Sequence, residues 1–200
     1  IVVIYLFTDA RFIFIMSILF LLLVVFQQKT HFLSCQKKSI QMIFTCLPIL
    51  FLIISFLGFL FYDPNNEIWR TINSLLSDRL ALGHTGLMRY GFTIFGQPIQ
   101  WIGYSFTQMN GTYNYIDNSY IRIFLETGIF NLIFYMTVCS LGIWNLCKRN
   151  QIRKVLAFSF LIILGMIEPF FFNPLFNPFL ILGLKDLNDK LKKGRVYAKI

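Results

Sequence analysis

Residues 41–62 read QMIFTCLPILFLIISFLGFLFY, 22 positions without a charged side chain. At about 1.5 Å of rise per residue a helix over this stretch is about 33 Å long, enough to cross the hydrocarbon of a bilayer. The neighbouring sequence is of the same kind. Residues 121–147 carry charge only at Arg122 and Glu126, both in the first turns. Phe12 to Phe26 is interrupted only by Ser17, and Arg11 at its end can snorkel to the interface. Residues 155–184 are apolar except at Glu168-Pro169, Asn173-Pro174 and Asn177-Pro178. Three prolines so close together predict a broken helix or tight hairpin there. Backbone polar groups in lipid need internal partners, so the spans are expected to be helical.

Composition agrees. Apolar residues make up 56% of the 200 positions and charged residues 14%, against roughly 25% charge in a soluble domain. Mean hydropathy is +0.65. These values exclude a disordered chain, a secreted disulfide scaffold and an ordinary cytosolic enzyme. The expected fold is all-α: a polytopic transmembrane helical bundle with a long, partly helical extracytoplasmic loop. The chain opens IVVIYLF without methionine and reads as the C-terminal part of a longer protein. A basic start and small-residue cleavage site, the marks of a signal peptide, are not seen.

Basic residues give the expected orientation. Of 18 Lys and Arg, 13 fall within 28–40, 148–154 and 185–200, and the other five are Arg11, Arg70, Arg79, Arg89 and Arg122. By the positive-inside rule the first group is cytoplasmic. The division is then 1–62, transmembrane helices with a cytoplasmic loop near 28–40; 63–120, an extracytoplasmic loop; 121–184, transmembrane helices including the Pro-broken hairpin; and 185–200, a basic cytoplasmic tail read as a short interfacial helix. The net charge of +9 follows from topology and anionic lipid, without nucleic acid. Cys35, Cys46, Cys139 and Cys147 all avoid the outer loop, and no Cys/His spacing suits zinc.

Chemistry is expected in residues 63–120 and in charges near that face. The loop exceeds ordinary connector length, and its aromatics (Trp69, Tyr90, Phe92, Trp101) are not those of a solvated linker. Asp63-Pro64 can open a helix, with Ile68, Ile72, Leu75 and Leu76 at helical spacing. Ser77 can cap a second helix over 78–90, followed by irregular chain from Phe92. On that helix Arg79 and Arg89 lie about 80° apart, and His84 about 140° from each. Two arginines on one face suit a phosphate-like dianion, although two solvated charges would give the same pattern. Gly83 and Gly86 are positions where this helix could break. Asp117 or Asn118 can cap the span beginning there, with Asp117 a partner for an arginine or a proton acceptor rather than a phosphate ligand. Arg122 and Glu126 have the spacing of an ion pair. Glu168 in apolar surroundings is a functional candidate, or an ion-pair partner of Arg11 or Arg122.

The string Ser74-Leu-Leu-Ser-Asp-Arg79-Leu-Ala-Leu-Gly-His-Thr-Gly-Leu-Met-Arg-Tyr-Gly91, then Phe95-Gly96-Gln97, then Asp117-Asn118-Ser119-Tyr120 ahead of Gly128, resembles the C-terminal half of bacterial polysaccharide repeat-unit polymerases of the O-antigen ligase/polymerase superfamily. Phe7-Thr8-Asp9-Ala10-Arg11 looks like that family's short outer loop. Asp117-Asn118 stands where ligases show His-Asn, which favours a polymerase. The family's spacing of Arg, ten residues and Gly is missed by one between Arg79 and Gly91.

The resemblance implies a metal-independent, cofactor-free glycosyltransferase of the bacterial cytoplasmic membrane. It would transfer a growing glycan from undecaprenyl diphosphate to the next lipid-linked repeat, building O-antigen, capsule or exopolysaccharide, with a flippase and a chain-length regulator as partner proteins. Arg11 and Arg79 are assigned to the diphosphate and Asp117 as base or arginine orienter. Arg89, Asn118, His84 and Glu168 are assigned around the substrate. The rival classes are a lipid-linked oligosaccharide flippase, a ligase and a purely structural membrane subunit.

Overall fold

The computed structural model describes residues 11–30 (side chains from Phe14 onward), 34–103, 114–185 and 187–188. Every regular element among them is helical: α1 (Arg11–Thr30), α2 (Lys38–Leu60), α3 (Glu67–Leu75), α4 (Arg79–Tyr90), α5 (Ser119–Lys148) and α6 (Ile152–Leu164). Residues 179–185 add a short helical stretch. Two helices, α2 and α5, are long and apolar enough to cross a membrane.

The uninterrupted apolar run becomes α2, with mean hydropathy 2.6 over its most apolar window. Within it only Pro48, Ser55 and Phe59 are buried, while Met42, Ile43, Leu50 and Ile53 lie on its outer surface. A core helix of a soluble domain buries such side chains; α2 turns them outward. Its inner face packs on α5, and the two run antiparallel. Ser55 near the end of α2 meets Asn118 at the start of α5, and Cys35 ahead of α2 meets Cys147 in the last turn of α5. Phe56 and Phe124 stack edge to face along the seam.

The helix α5 is not continuous. Gly128 has φ 82° and ψ 179°, a conformation that side chains rarely adopt. The segment 94–97 lodges in this break: Gln97 N–H donates to the Leu125 carbonyl at 3.1 Å, and Gly96, itself at φ 78°, lies directly against the backbone of Glu126 and Thr127. A Cβ at either glycine would collide with the opposite main chain. Gly96 and Gly128, both among the glycines quoted in the resemblance, therefore form one backbone-to-backbone joint.

Two helix starts differ from expectation. Asp63 makes a turn by accepting the Asn65 N–H, and α3 begins at Glu67 under the cap of Asn66, whose Oδ1 accepts the Ile68 N–H at 2.9 Å. Neither Ser77 nor Asp78 caps α4 by its side chain; both have positive φ, 53° and 62°. Residues 92–103 contain no helix, as expected, and meet the stretch after the undescribed part through one antiparallel bridge, Ile102 to Asn114. The proline-rich region turns as expected: α6 ends at Leu164, turns occupy 165–178, and the helical stretch follows. Most of the 185–200 tail lies outside the described residues.

Candidate functional site

The site begins at the turn between α3 and α4. Asn73 is buried and ties the turn together: its Nδ2 donates to Asp78 Oδ1 at 2.8 Å, its Oδ1 accepts the Ala81 N–H at 3.0 Å, and its carbonyl accepts the Asp78 N–H at 2.9 Å. A free amide of the first turn of α4 is thus satisfied from outside the helix. The left-handed Ser77-Asp78 pair is held by this clamp and sets the direction of Arg79. Behind it, α4 packs through Gly83 under the Phe59 ring and Gly86 under Ile116. The glycines do not break the helix; they form its buried face.

Arg79 Nε meets Asp117 Oδ2 at 2.9 Å, both side chains about one-quarter exposed (26% and 23%). Among the described residues the terminal nitrogens of Arg79 have no hydrogen-bond partner. Asp117 is positioned by its neighbours, for Ile116 is 2% exposed and Asn118 3%. Asn118 caps α5 by accepting the Ile121 N–H at 3.1 Å and donates to Ser55 Oγ at 3.0 Å and the Met166 carbonyl at 2.9 Å. Its side-chain amide is fully engaged within the protein, so Asn118 holds the site together.

Ser119 draws in the turn after α6. Its N–H donates to the Gly165 carbonyl at 2.8 Å, its Oγ donates to the Glu168 carbonyl, and that Oγ accepts the Phe171 N–H at 3.0 Å. Glu168, beyond the end of α6, is thereby brought into the field of the Arg79–Asp117 pair. Burial pushes its carboxyl above the ordinary range, Arg79 pulls it back, and Asp117 pushes it up further. Its carboxylate has no hydrogen bond or ion pair among the described residues. The alternative pairing with Arg122 is not formed, because Arg122 binds Glu126 at 2.9 Å. The alternative pairing with Arg11 falls on a side chain outside the described residues.

Beside the pair opens a cavity of about 450 Å³ lined by Ile54, Leu57, Phe61, Ile72, Leu76 and Met166 among others, with Arg79 and Asn118 as its strongly polar members. It is an apolar groove with a guanidinium at one end, which suits a molecule with an apolar body and an anionic head.

Two assigned residues lie elsewhere. The His84 Nδ1–H donates to the Phe59 carbonyl at 2.7 Å, with its ring 5.7 Å from that of Tyr62. It satisfies one of the free carbonyls at the end of α2 and is not directed to Arg79. Arg89 is exposed, its guanidinium 5.8 Å from the Tyr90 ring centroid. Ten residues of helix separate it from Arg79 by about 15 Å along the axis, so a shared face does not give a shared phosphate. Arg11 opens α1. Sequence reasoning missed Asn73, whose clamp runs from side chain to backbone across a turn.

No family model matches this chain, and neither a curated protein nor a solved structure matches it.

Proposed function

We propose that the chain is the C-terminal part of a membrane glycosyltransferase that polymerises undecaprenyl-diphosphate-linked repeat units at the outer face of the bacterial cytoplasmic membrane. The observation that carries this reading is Arg79 at the head of the apolar groove. Asp117 engages its Nε and fixes the plane of the guanidinium, while the terminal nitrogens remain available for two oxygens of a diphosphate. The groove would receive the first part of the isoprenoid. Lys37, Lys38, Lys148, Arg149, Arg153 and Lys154 flank the opposite ends of α2, α5 and α6, so the positive-inside rule directs Arg79 outward.

In this mechanism the anomeric carbon–oxygen bond to the diphosphate breaks as the acceptor hydroxyl attacks. The pair of electrons leaves with undecaprenyl diphosphate, whose growing charge Arg79 stabilises. Asp117 is the orienter of Arg79. Glu168, whose carboxylate has no partner among the described residues, takes the acceptor's proton, and its raised affinity for protons fits that part.

The test is full-length protein in lipid supplied with lipid-linked repeat units, reading out a ladder of products and released undecaprenyl diphosphate. A translocation assay on the same vesicles separates transferase from flippase. Arg79→Lys keeps the charge but loses the planar fork, and elongation is expected to fall about 100-fold or more at normal protein levels. Wild-type chain lengths in that variant would remove Arg79 from the reaction.

A further inference from the structure

A second cluster beside the Arg79–Asp117 pair has no part in that mechanism. In the first turns of α5, Arg122 Nε donates to Glu126 Oε1 at 2.9 Å, and Trp101 Nε1 donates to the same oxygen. The Arg122 guanidinium carbon lies 5.2 Å from the ring centroids of both Trp101 and Tyr115. These two rings meet edge to face at 6.4 Å, and Tyr90 stands edge-on to Trp101 at 6.1 Å. The rings are half-buried, so the cluster reaches the surface.

A cluster serving only to pin the loop to α5 would satisfy its own polar atoms, as Asn118 does. This one leaves Arg122 Nη1 buried without a partner among the described residues. It also places both hydrogen bonds to Glu126 on Oε1, and Oε2 accepts none among the described residues. A spare donor on Arg122 and a free oxygen on the one-third exposed Glu126 side chain leave hydrogen-bonding capacity that a polar ligand can use. Position supplies the rest. From Tyr115 to Asn118 burial alternates, with Ile116 and Asn118 inward and Tyr115 and Asp117 at the surface. In extended chain that puts Tyr115 and Asp117 on one side, about 7 Å apart, within one sugar ring of the diphosphate-binding arginine.

We propose that Trp101, Tyr115, Arg122 and Glu126 form a saccharide subsite that holds the sugar attached to the diphosphate. A pyranose has an apolar C–H face and an edge of hydroxyls. The aromatic rings match the face, and the donors of Arg122 with the acceptor of Glu126 match the edge. The inference rests on the glycan-transfer reading, and it adds where the donor glycan is gripped.

The experiment uses full-length protein in nanodiscs and two probes: the repeat-unit oligosaccharide freed from its lipid by mild acid, and undecaprenyl diphosphate without sugar. Tyr115→Ala and Trp101→Ala are expected to weaken oligosaccharide binding about tenfold, whereas Tyr115→Phe, which keeps the ring, retains it. Undecaprenyl diphosphate binding stays at the wild-type level in all three, which also reports an intact fold. Arg79→Ala shows the reverse pattern. Where Trp101→Ala does not fold, Glu126→Gln takes its place, with the same loss expected. Oligosaccharide binding unchanged by these substitutions, or absent from wild-type protein that still binds undecaprenyl diphosphate, overturns the subsite. Wild-type protein that binds oligosaccharide through the cluster but not undecaprenyl diphosphate keeps the subsite and overturns the transferase reading.

Discussion

His84 and Glu168 show how position outweighs residue type. A histidine between two long apolar runs invites a chemical role, yet its Nδ1–H is occupied by the Phe59 carbonyl. His84→Ala should cost about 1–2 kcal/mol by leaving that carbonyl unpaired, visible in thermal unfolding, while chain elongation stays near normal. Abolished elongation in a stable His84→Ala protein would return the residue to the site. Glu168 makes the opposite case. Its carboxyl is held above the ordinary range, chiefly by burial, so the folded state binds the proton more tightly than the unfolded chain. The linked stability is present at pH below the unfolded value and is lost as pH rises through the folded one. Activity should run the other way, rising with pH through the same window as the base becomes free. Glu168→Gln should flatten the stability change and remove the acid limb of the rate profile, leaving a low, pH-independent residual rate. An unchanged acid limb would assign the proton to another group.

Among the elements, the joint between the 94–97 segment and α5 is the most demanding. Gly128→Ala forces a side chain into positive φ and against the Ile94 backbone. A loss of about 3 kcal/mol or more is expected, measured as a lower melting temperature in detergent. Gly91 has positive φ with open space around it, so Gly91→Ala should cost less; equal costs would show that crowding at the joint adds nothing. The joint also shows which information a single chain carries locally. The helices α2 and α5 were legible from apolar runs, and the Arg122–Glu126 pair from its spacing of four. The Asn73 clamp was not, because an asparagine in a helix gives no sign of which backbone amide it will reach. Nor was the placing of Glu168 within the electrostatic reach of Arg79 and Asp117, since a separation of 51 positions from Asp117 says nothing about proximity. The pairing of Arg79 with Arg89 failed for a different reason: angular phase was considered without axial rise.

For the molecule as a whole, the charge distribution predicts orientation. Ser74→Cys, near the end of α3, should react with a membrane-impermeant maleimide in intact cells, above the background of the parent chain. Asn150→Cys, between α5 and α6, should react only after lysis. The inverse pattern would place the Arg79 end in the cytosol and remove its access to outward-facing lipid-linked glycan. The helical character of the described residues was readable at this scale because long uncharged apolar runs satisfy their backbone most simply as helices. The site was only partly readable, since it is assembled from the ends of α2, α4 and α5 and the turn after α6.

The break in α5 has a consequence for the order of folding. A loop can wedge into the notch at Gly128 only once the helical segments on either side of that notch have formed. Docking of 94–97 must therefore wait for α5, although its residues are synthesised earlier. The aromatic cluster and the Arg79–Asp117 pair, both tied to the start of α5, would mature together at that moment.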